Sequence, residues 1–382
     1  GVNPQMGAGS DVMSRLAAAS CRRGLERLCT LTRAALLKII SDLAEYGHID
    51  GLCLAANPAM SAIALGLDPS GLGSAPYTLP EKGGRWFSLP NLPPLWLPPQ
   101  LSPFVGGDLA AGYAALMFGE TEKFKASARP VYPFVLADLG TNGELLLALS
   151  AKQSLVASVP MGPALEGAGL SRGTEARPGA ASDFNLGPAG LEARFLPGGD
   201  EKNAAGITGS GALALLHVLL QCGLLDRQGR FHPAGSGPLA RFFSFSQDRQ
   251  GRLLLALPGG LELNAADVEE LLKVKAAFSL ALARLLQEAG LAAKDLSGIY
   301  VAGALGVHIR REVLANLGFF PPGLESRVRA AGNSALEGAA LLAADTQARE
   351  ALIAWSGTVQ SLDLASDPDF VKSYPAHMQF LW

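Results

Sequence analysis

Cysteine is scarce in this 382-residue chain: Cys21, Cys29, Cys53 and Cys222 are the complete set, and no two form a CxxC pair. A structural zinc or an iron–sulfur cluster needs four closely grouped nitrogen or sulfur ligands. These residues do not supply them, and buried free thiols in a reducing, cytoplasmic setting are the expectation. Charge is scarce as well. Charged residues make up 17% of the chain, against about 25% in ordinary globular proteins, and 31 Lys+Arg against 34 Asp+Glu leave a net charge of −3. Without a basic field, a dedicated binder of nucleic acid or of a membrane surface is excluded. With 49% apolar residues, so is a disordered chain. The start, Gly1-Val2-Asn3-Pro4-Gln5, lacks the basic and then apolar order of a signal peptide. Ile207 to Leu225 is 19 positions without a charge, long enough to cross a bilayer. Its Thr208, Ser210, His217, Gln221 and glycines instead predict a buried helix led by glycine. No Gly-Lys-Ser/Thr marks a P-loop, and the glycine spacing at 303–306 is wrong for a dinucleotide fingerprint. No nucleophile elbow supports a Ser/His/Asp triad. His48, His217, His232, His308 and His377 are too dispersed for a metal site, and no repeat of 20–50 residues is present.

What the chain has is glycine and proline, 45 and 25 residues, set between apolar segments. This describes a compact α/β protein with many tight turns. Ser10 or Asp11 is expected to cap a first helix running to about Glu45, followed by a buried strand at 49–56 and a helix at 59–67. The Pro-rich stretch 71–104, with Trp86 and Trp96, reads as an irregular surface segment. Gly106-Gly107-Asp108 opens a helix to about Gly119, and 120–133 reads as a linker. Phe134 to Asp138 is an apolar strand ending in a carboxylate, with a tight turn over 139–143 and returning strands at 144–150 and 153–160. A helix over 211–222, a long helix capped by Asn264 or Asp267 and stopping at Gly290, a strand at 299–302, a short helix at 310–316 and a last apolar helix from Gly332-Asn333-Ser334-Ala335 complete the pattern.

Three stretches could carry chemistry. In Asp138-Leu139-Gly140-Thr141-Asn142-Gly143-Glu144, Gly140 and Gly143 allow close approach to a phosphate, Thr141 and Asn142 add donors, and Asp138 could hold Mg²⁺ through water. The same residues also fit an ordinary Asn-Gly hairpin. Gly209-Ser210-Gly211 at a helix start, and Gly303-Ala304-Leu305-Gly306 after a strand, suit an anion or a flat ring. They equally suit close helix packing. Asp108 and Glu166 could orient a water or Mg²⁺, or could cap helices.

Taken in order, the motifs resemble the actin/sugar-kinase/Hsp70 (ASKHA) nucleotide fold, with Asp138–Glu144 similar to its second phosphate loop and Val301–Gly306 to its adenosine motif. A narrower resemblance covers almost the whole chain. Asn3-Pro4-Gln5 with 9–15, Leu65–Pro69, Val105–Asp108, Asp138–Glu144, Gly162–Gly167, Ile207–Gly211, Leu225–Phe231, Val301–Gly306, Gly332–Ala335 and Asp367–Phe370 are similar, in collinear order, to the C-terminal ATPase region of the reductive activators of corrinoid proteins.

That resemblance implies an α/β, actin/Hsp70-like, ribonuclease H-like duplicated fold lacking the first hairpin of its first half. The first subdomain would span 1–130, with the insertion at 71–104, and the second 131–382. It implies an ATPase that uses ATP and Mg²⁺ to drive reduction of a Co(II) corrinoid to Co(I) on a corrinoid protein partner, with pairing of two copies. The nucleotide would lie between the two units, its adenine near Gly303, Ala304 and Gly306 and its phosphates facing Gly140, Thr141, Asn142 and Gly143. Gly209, Ser210 and Gly211 would assist, Asp138 would hold the metal through water, and Asp138, Asp108 and Glu166 would be catalytic. A phosphate hairpin, and a ferredoxin module with a 2Fe-2S cluster, would precede Asn3. The chain departs from the family pattern at Ala304-Leu305 and Val307-His308. Two further readings stay open: a small-molecule kinase of the same fold with Asp108 as base, and a degenerate nucleotide fold that serves as a docking module.

Overall fold

The computed structural model describes residues 5, 8–9, 12–119, 129–188, 190–233 and 240–382. The expected Ser10 or Asp11 cap and most of the 120–133 linker lie outside them.

The N-terminal stretch is two helices, α1 (Val12–Ala19) and α2 (Arg22–Leu43), rather than the one expected. Cys21 is extended and caps α2, its Sγ accepting from Gly24 N–H. A Cβ on Gly24 would stand 1.9 Å from the Ala18 carbonyl oxygen, so the two helices meet at a corner that only glycine admits. Apolar spacing runs through such a corner without registering it. The expected strand shrinks to β1 (Leu52–Cys53), and α3 (Pro58–Leu65) follows with Asn57 as its cap. Left-handed Gly66 ends α3, two residues before the expected stop. The Pro-rich stretch holds β2 (Arg85–Phe87) and β3 (Leu95–Leu97). Here the expectation of a surface segment fails for Trp96, which is buried with Leu95 and Leu97 on either side. Strand β3 pairs in parallel with β1, Cys53 opposite Trp96, and antiparallel with β2.

Further along come α4 (Gly107–Phe118), β4 (Phe134–Leu139), β5 (Asn142–Ser150), β6 (Gln153–Pro160), β7 (Ala180–Gly187), β8 (Gly190–Phe195), β9 (Gly206–Ile207) and α5 (Gly209–Gln221). Then follow β10 (Phe245–Gln247), β11 (Leu253–Leu257), β12 (Leu261–Asn264), α6 (Ala265–Glu288), β13 (Gly298–Ala302), α7 (Gly303–His308) and α8 (Arg311–Asn316). The C-terminal part is β14 (Val328–Gly332), α9 (Ser334–Ala344), α10 (Thr346–Ser356), β15 (Val359–Ser361) and α11 (Pro368–His377). Helices α7, α10 and α11 were not expected. The glycine turn at 303–306 is itself helical, and Asp345 ends α9 while capping α10.

The chain folds into two compact units, each assembled from separate stretches: Gly1–Ala137, Glu144–Ser158 and Ala331–Leu362 in one, Asp138–Gly143, Val159–Ala330 and Asp363–Trp382 in the other. In the first unit the strand order runs β4-β5-β6-β15, with β15 parallel to β6. Its helices α4 and α9 pack backbone to backbone. A Cβ on Gly338 would meet the Ala111 carbonyl oxygen at 1.8 Å, and one on Gly112 would meet Ser334 Oγ at 2.9 Å. Trp355 of α10 stacks on Tyr113 of α4 and donates its indole N–H to Ser154 Oγ of β6 at 3.2 Å.

In the second unit β7 pairs antiparallel with β8 and parallel with β9, while β10-β11-β12 form a meander. Helix α6 is buried along most of its length and starts with a reciprocal cap between Asn264 and Asp267. The Asp267 carboxylate also accepts the N–H and the hydroxyl of Ser171, both at 2.6 Å, tying the loop after β6 to α6.

Candidate functional site

Three stretches singled out in the sequence, far apart along the chain, meet inside the second unit. The first is the tip between β4 and β5. Apolar strand β4 delivers Asp138 at its end, and Gly140 N–H donates to the Asn142 carbonyl at 3.1 Å to close the bend. Thr141 stands at the apex. Its N–H donates to Glu166 Oε1 at 3.0 Å and its hydroxyl donates to the same oxygen at 2.6 Å. Its carbonyl accepts from the N–H groups of Met161 and Gly162, each at 3.0 Å. Glu166 closes a short 3₁₀ turn, Pro163–Glu166, and is exposed. The two tip glycines differ. A Cβ on Gly143 would meet Met161 Sδ at 2.8 Å, so this glycine serves packing, whereas around Gly140 nothing comes nearer than 3.7 Å.

The second stretch is the start of α5. Thr208 is its cap, accepting Gly211 N–H at 3.1 Å, and Ser210 donates its hydroxyl to the Ser182 carbonyl at 3.2 Å. Gly209 and Gly211 are there because backbone lies against them. A Cβ on Gly209 would be 1.9 Å from the Leu165 carbonyl oxygen, and one on Gly211 would be 2.4 Å from that of Ala181. Leu165 neighbours Glu166, so the α5 start and the turn that grips Thr141 are in direct contact.

The third stretch follows β13. Gly303 has φ +81°, and a Cβ on it would stand 2.9 Å from Asp138 Oδ1. The glycine bend and the Asp138 tip are therefore adjacent. Gly306 lets α7 fold back on β13, since a Cβ there would be 2.3 Å from the Val301 carbonyl oxygen. Ala304 lies within α7.

Electrostatics single out Asp138. Burial pushes its carboxyl pKa above the usual carboxylate range. Loss of water disfavours the charged form, and a cation or added donors would reverse the effect. Asp108 belongs to the other unit, in the first turn of α4, with Oδ1 accepting Leu109 N–H at 3.0 Å. The structure thus gathers Asp138, Gly140, Thr141, Asn142, Gly143, Glu166, Gly209, Ser210, Gly211, Gly303 and Gly306 into one unit, and Asp108 into the other.

Residues that the sequence reading passed over also shape the site. Thr208 was recoverable as a capping residue before Gly-Ser-Gly. Met161, which seals Gly143, carries no such mark. Among the described residues no group of three or more His, Cys, Asp or Glu is placed to hold a metal. Among them, too, no helix is long and apolar enough to cross a membrane. Cys29 and Cys222 are buried, Cys53 is half-buried and Cys21 is exposed.

The chain matches the family model of the C-terminal domain of RACo, the ASKHA domain, over residues 133–382, and that of the RACo middle region over residues 1–121. It is 26% identical over 399 aligned residues to the corrinoid activation enzyme RamQ of Eubacterium limosum, covering 99% of this chain and 65% of that protein. It is 29% identical over 225 residues to a [Co(II) methylated amine-specific corrinoid protein] reductase of Methanosarcina barkeri, covering 53% of this chain and 37% of that one. The chain therefore spans less than two thirds of the curated relatives it matches. A solved structure of a reductive activator for corrinoid, iron-sulfur protein superposes with a TM-score of 0.80 at 22% identity, over 99% of this chain and 61% of the other. The fold is the ASKHA fold, and the chain belongs to the RACo family of corrinoid reductive activators, carrying that family's middle region and C-terminal ASKHA domain.

Proposed function

We propose that this chain is the nucleotide-handling part of a corrinoid reactivator. It binds ATP with Mg²⁺ at the Asp138–Gly143 tip of the second unit, and uses the nucleotide state to favour one-electron reduction of Co(II) to Co(I) on a corrinoid protein. The electron comes from an iron–sulfur carrier, which the dispersed cysteines of this chain do not furnish. Such a reduction is uphill, and contacts with the partner that differ between nucleotide states can shift its equilibrium.

One observation carries the reading: the Asp138 tip, the Glu166 turn, the α5 start and the Gly303 bend, separate in sequence, lie against one another in a single unit. Thr141 already presents an N–H and a hydroxyl to one anionic oxygen, which is the donor pattern a phosphate oxygen needs. Asp138 suits Mg²⁺, which is commonly held by one or two carboxylates together with substrate phosphates and retained waters. Its burial leaves a carboxylate that a cation would stabilise. When bound, the ion would neutralise phosphate charge. The protein's own part is to orient the phosphates through the tip amides and the Thr141 hydroxyl, with Gly303, which has no side chain, leaving room beside Asp138 Oδ1.

Calorimetric titration of the chain with Mg-ATP and with a non-hydrolysable analogue tests this. Binding that requires Mg²⁺ and is lost in Asp138→Asn is the expected result. Absence of binding under all conditions would reject the reading.

A further inference from the structure

The tip is not open as it stands. Every backbone polar group of Thr141, and its hydroxyl, is engaged by the segment 161–166. The Glu166 carboxylate sits where a phosphate oxygen would sit, held by the same two donors. A carboxylate and a phosphate cannot both occupy that seat: they share the donors and repel each other. We propose that Glu166 is an internal anion latch, whose carboxylate fills the phosphate seat at Thr141 and must swing out before a nucleotide can bind. The inference rests on the nucleotide reading of the tip and adds its regulation.

The geometry also shows how the latch opens. The backbone of the turn is wedged on both sides. The Leu165 carbonyl lies in the space that Gly209 leaves, and Gly167 lies against the backbone of Thr174, where a Cβ would come within 2.1 Å of the Thr174 carbonyl oxygen. Moving the turn would mean separating it from α5. The Glu166 side chain, by contrast, is exposed. It can rotate into water without desolvation, and the carboxylate recovers its hydration as it leaves Thr141. Opening is therefore a side-chain rotation over a fixed backbone, and the closed state is a shallow competitor that lowers apparent affinity by the fraction of open molecules.

Titrations of the wild-type chain, Glu166→Gln and Glu166→Ala with Mg-ATP, and with inorganic pyrophosphate as a probe of the seat alone, test the latch. Removing a charge-assisted pair of hydrogen bonds that competes for the seat should tighten binding about tenfold in Glu166→Ala. Glu166→Gln, neutral but able to accept from Thr141, should fall between the two. Hydrogen exchange of a peptide covering Thr141 should speed up in ligand-free Glu166→Ala and slow again when the probe binds. If wild type binds and Glu166→Ala binds equally or more weakly, the latch is wrong and the nucleotide reading stands. If none of the three binds either probe while all remain folded, the nucleotide reading fails and the latch fails with it.

Discussion

Replacing Gly303 by alanine puts the tip and the bend under direct test. Gly303 has φ +81°, and an L-residue held in the left-handed region costs about 1–2 kcal/mol. The added methyl would also stand 2.9 Å from Asp138 Oδ1, closer than a carbon and an oxygen tolerate, and relieving such overpacking costs about 1–3 kcal/mol more. Together Gly303→Ala should destabilise the second unit by about 2–5 kcal/mol. The two contributions separate in a double-mutant cycle. Asp138→Ala removes the oxygen, so in that background Gly303→Ala should retain only the backbone part, and the coupling should be about 1–3 kcal/mol. Because the chain has two units, a single melting midpoint mixes their stabilities. Hydrogen exchange of peptides from β13 and α6 reads the second unit alone. A coupling within about 0.5 kcal/mol of zero, the level at which independent sites add, would refute the contact between Gly303 and Asp138 on which the site is built.

Three further outcomes are expected. Burial raises the Asp138 pKa, so the folded state holds a proton that the unfolded chain releases; the stability it adds is present at acid pH and is lost as pH rises from the ordinary carboxylate range through the folded value. Asp138→Asn should therefore melt higher than wild type at neutral pH, with a flatter pH profile, and an unchanged profile would contradict this. Lys275 is fully buried in α6, where its ammonium donates to the main-chain carbonyls of Leu381 and His377, and burial lowers its pKa from 10.5 to about 8. The penalty for the charged form, about 3 kcal/mol below that value, fades as pH rises from about 8 toward 10.5; denaturation at stepped pH should show wild-type stability rising there by an amount that Lys275→Met lacks. Gly209→Ala would drive a methyl to 1.9 Å from the Leu165 carbonyl oxygen and should cost roughly 3 kcal/mol or more. Gly290→Ala, with φ +65° and nothing within 4 Å, should cost only the backbone strain of about 1–2 kcal/mol; equal losses of second-unit stability by hydrogen exchange for the two would refute the packing argument.

Much of the architecture was legible along the chain because local rules governed it. The β4–β5–β6 strands and the Asn264 cap of α6 follow from apolar runs bounded by residues that cap or turn the backbone. The composition alone excluded a disordered chain, and the collinear motifs pointed to the family. The corner at Cys21–Gly24, the burial of Trp96 and the sealing of Gly143 by Met161 were not legible, since each depends on what another segment brings to that spot.

The glycines show where the division falls. By itself the sequence determined that the backbone could come close at 140, 209 and 303, because a residue without a Cβ permits that anywhere. Only the tertiary structure decided what came close: a carboxylate beside Gly303, a carbonyl against Gly209, and at Gly140 the Asn142 carbonyl and the Glu166 carboxylate at ordinary contact distance. Whether a glycine marks packing or a binding seat is a property of its neighbour in space, and that neighbour can lie more than a hundred residues away.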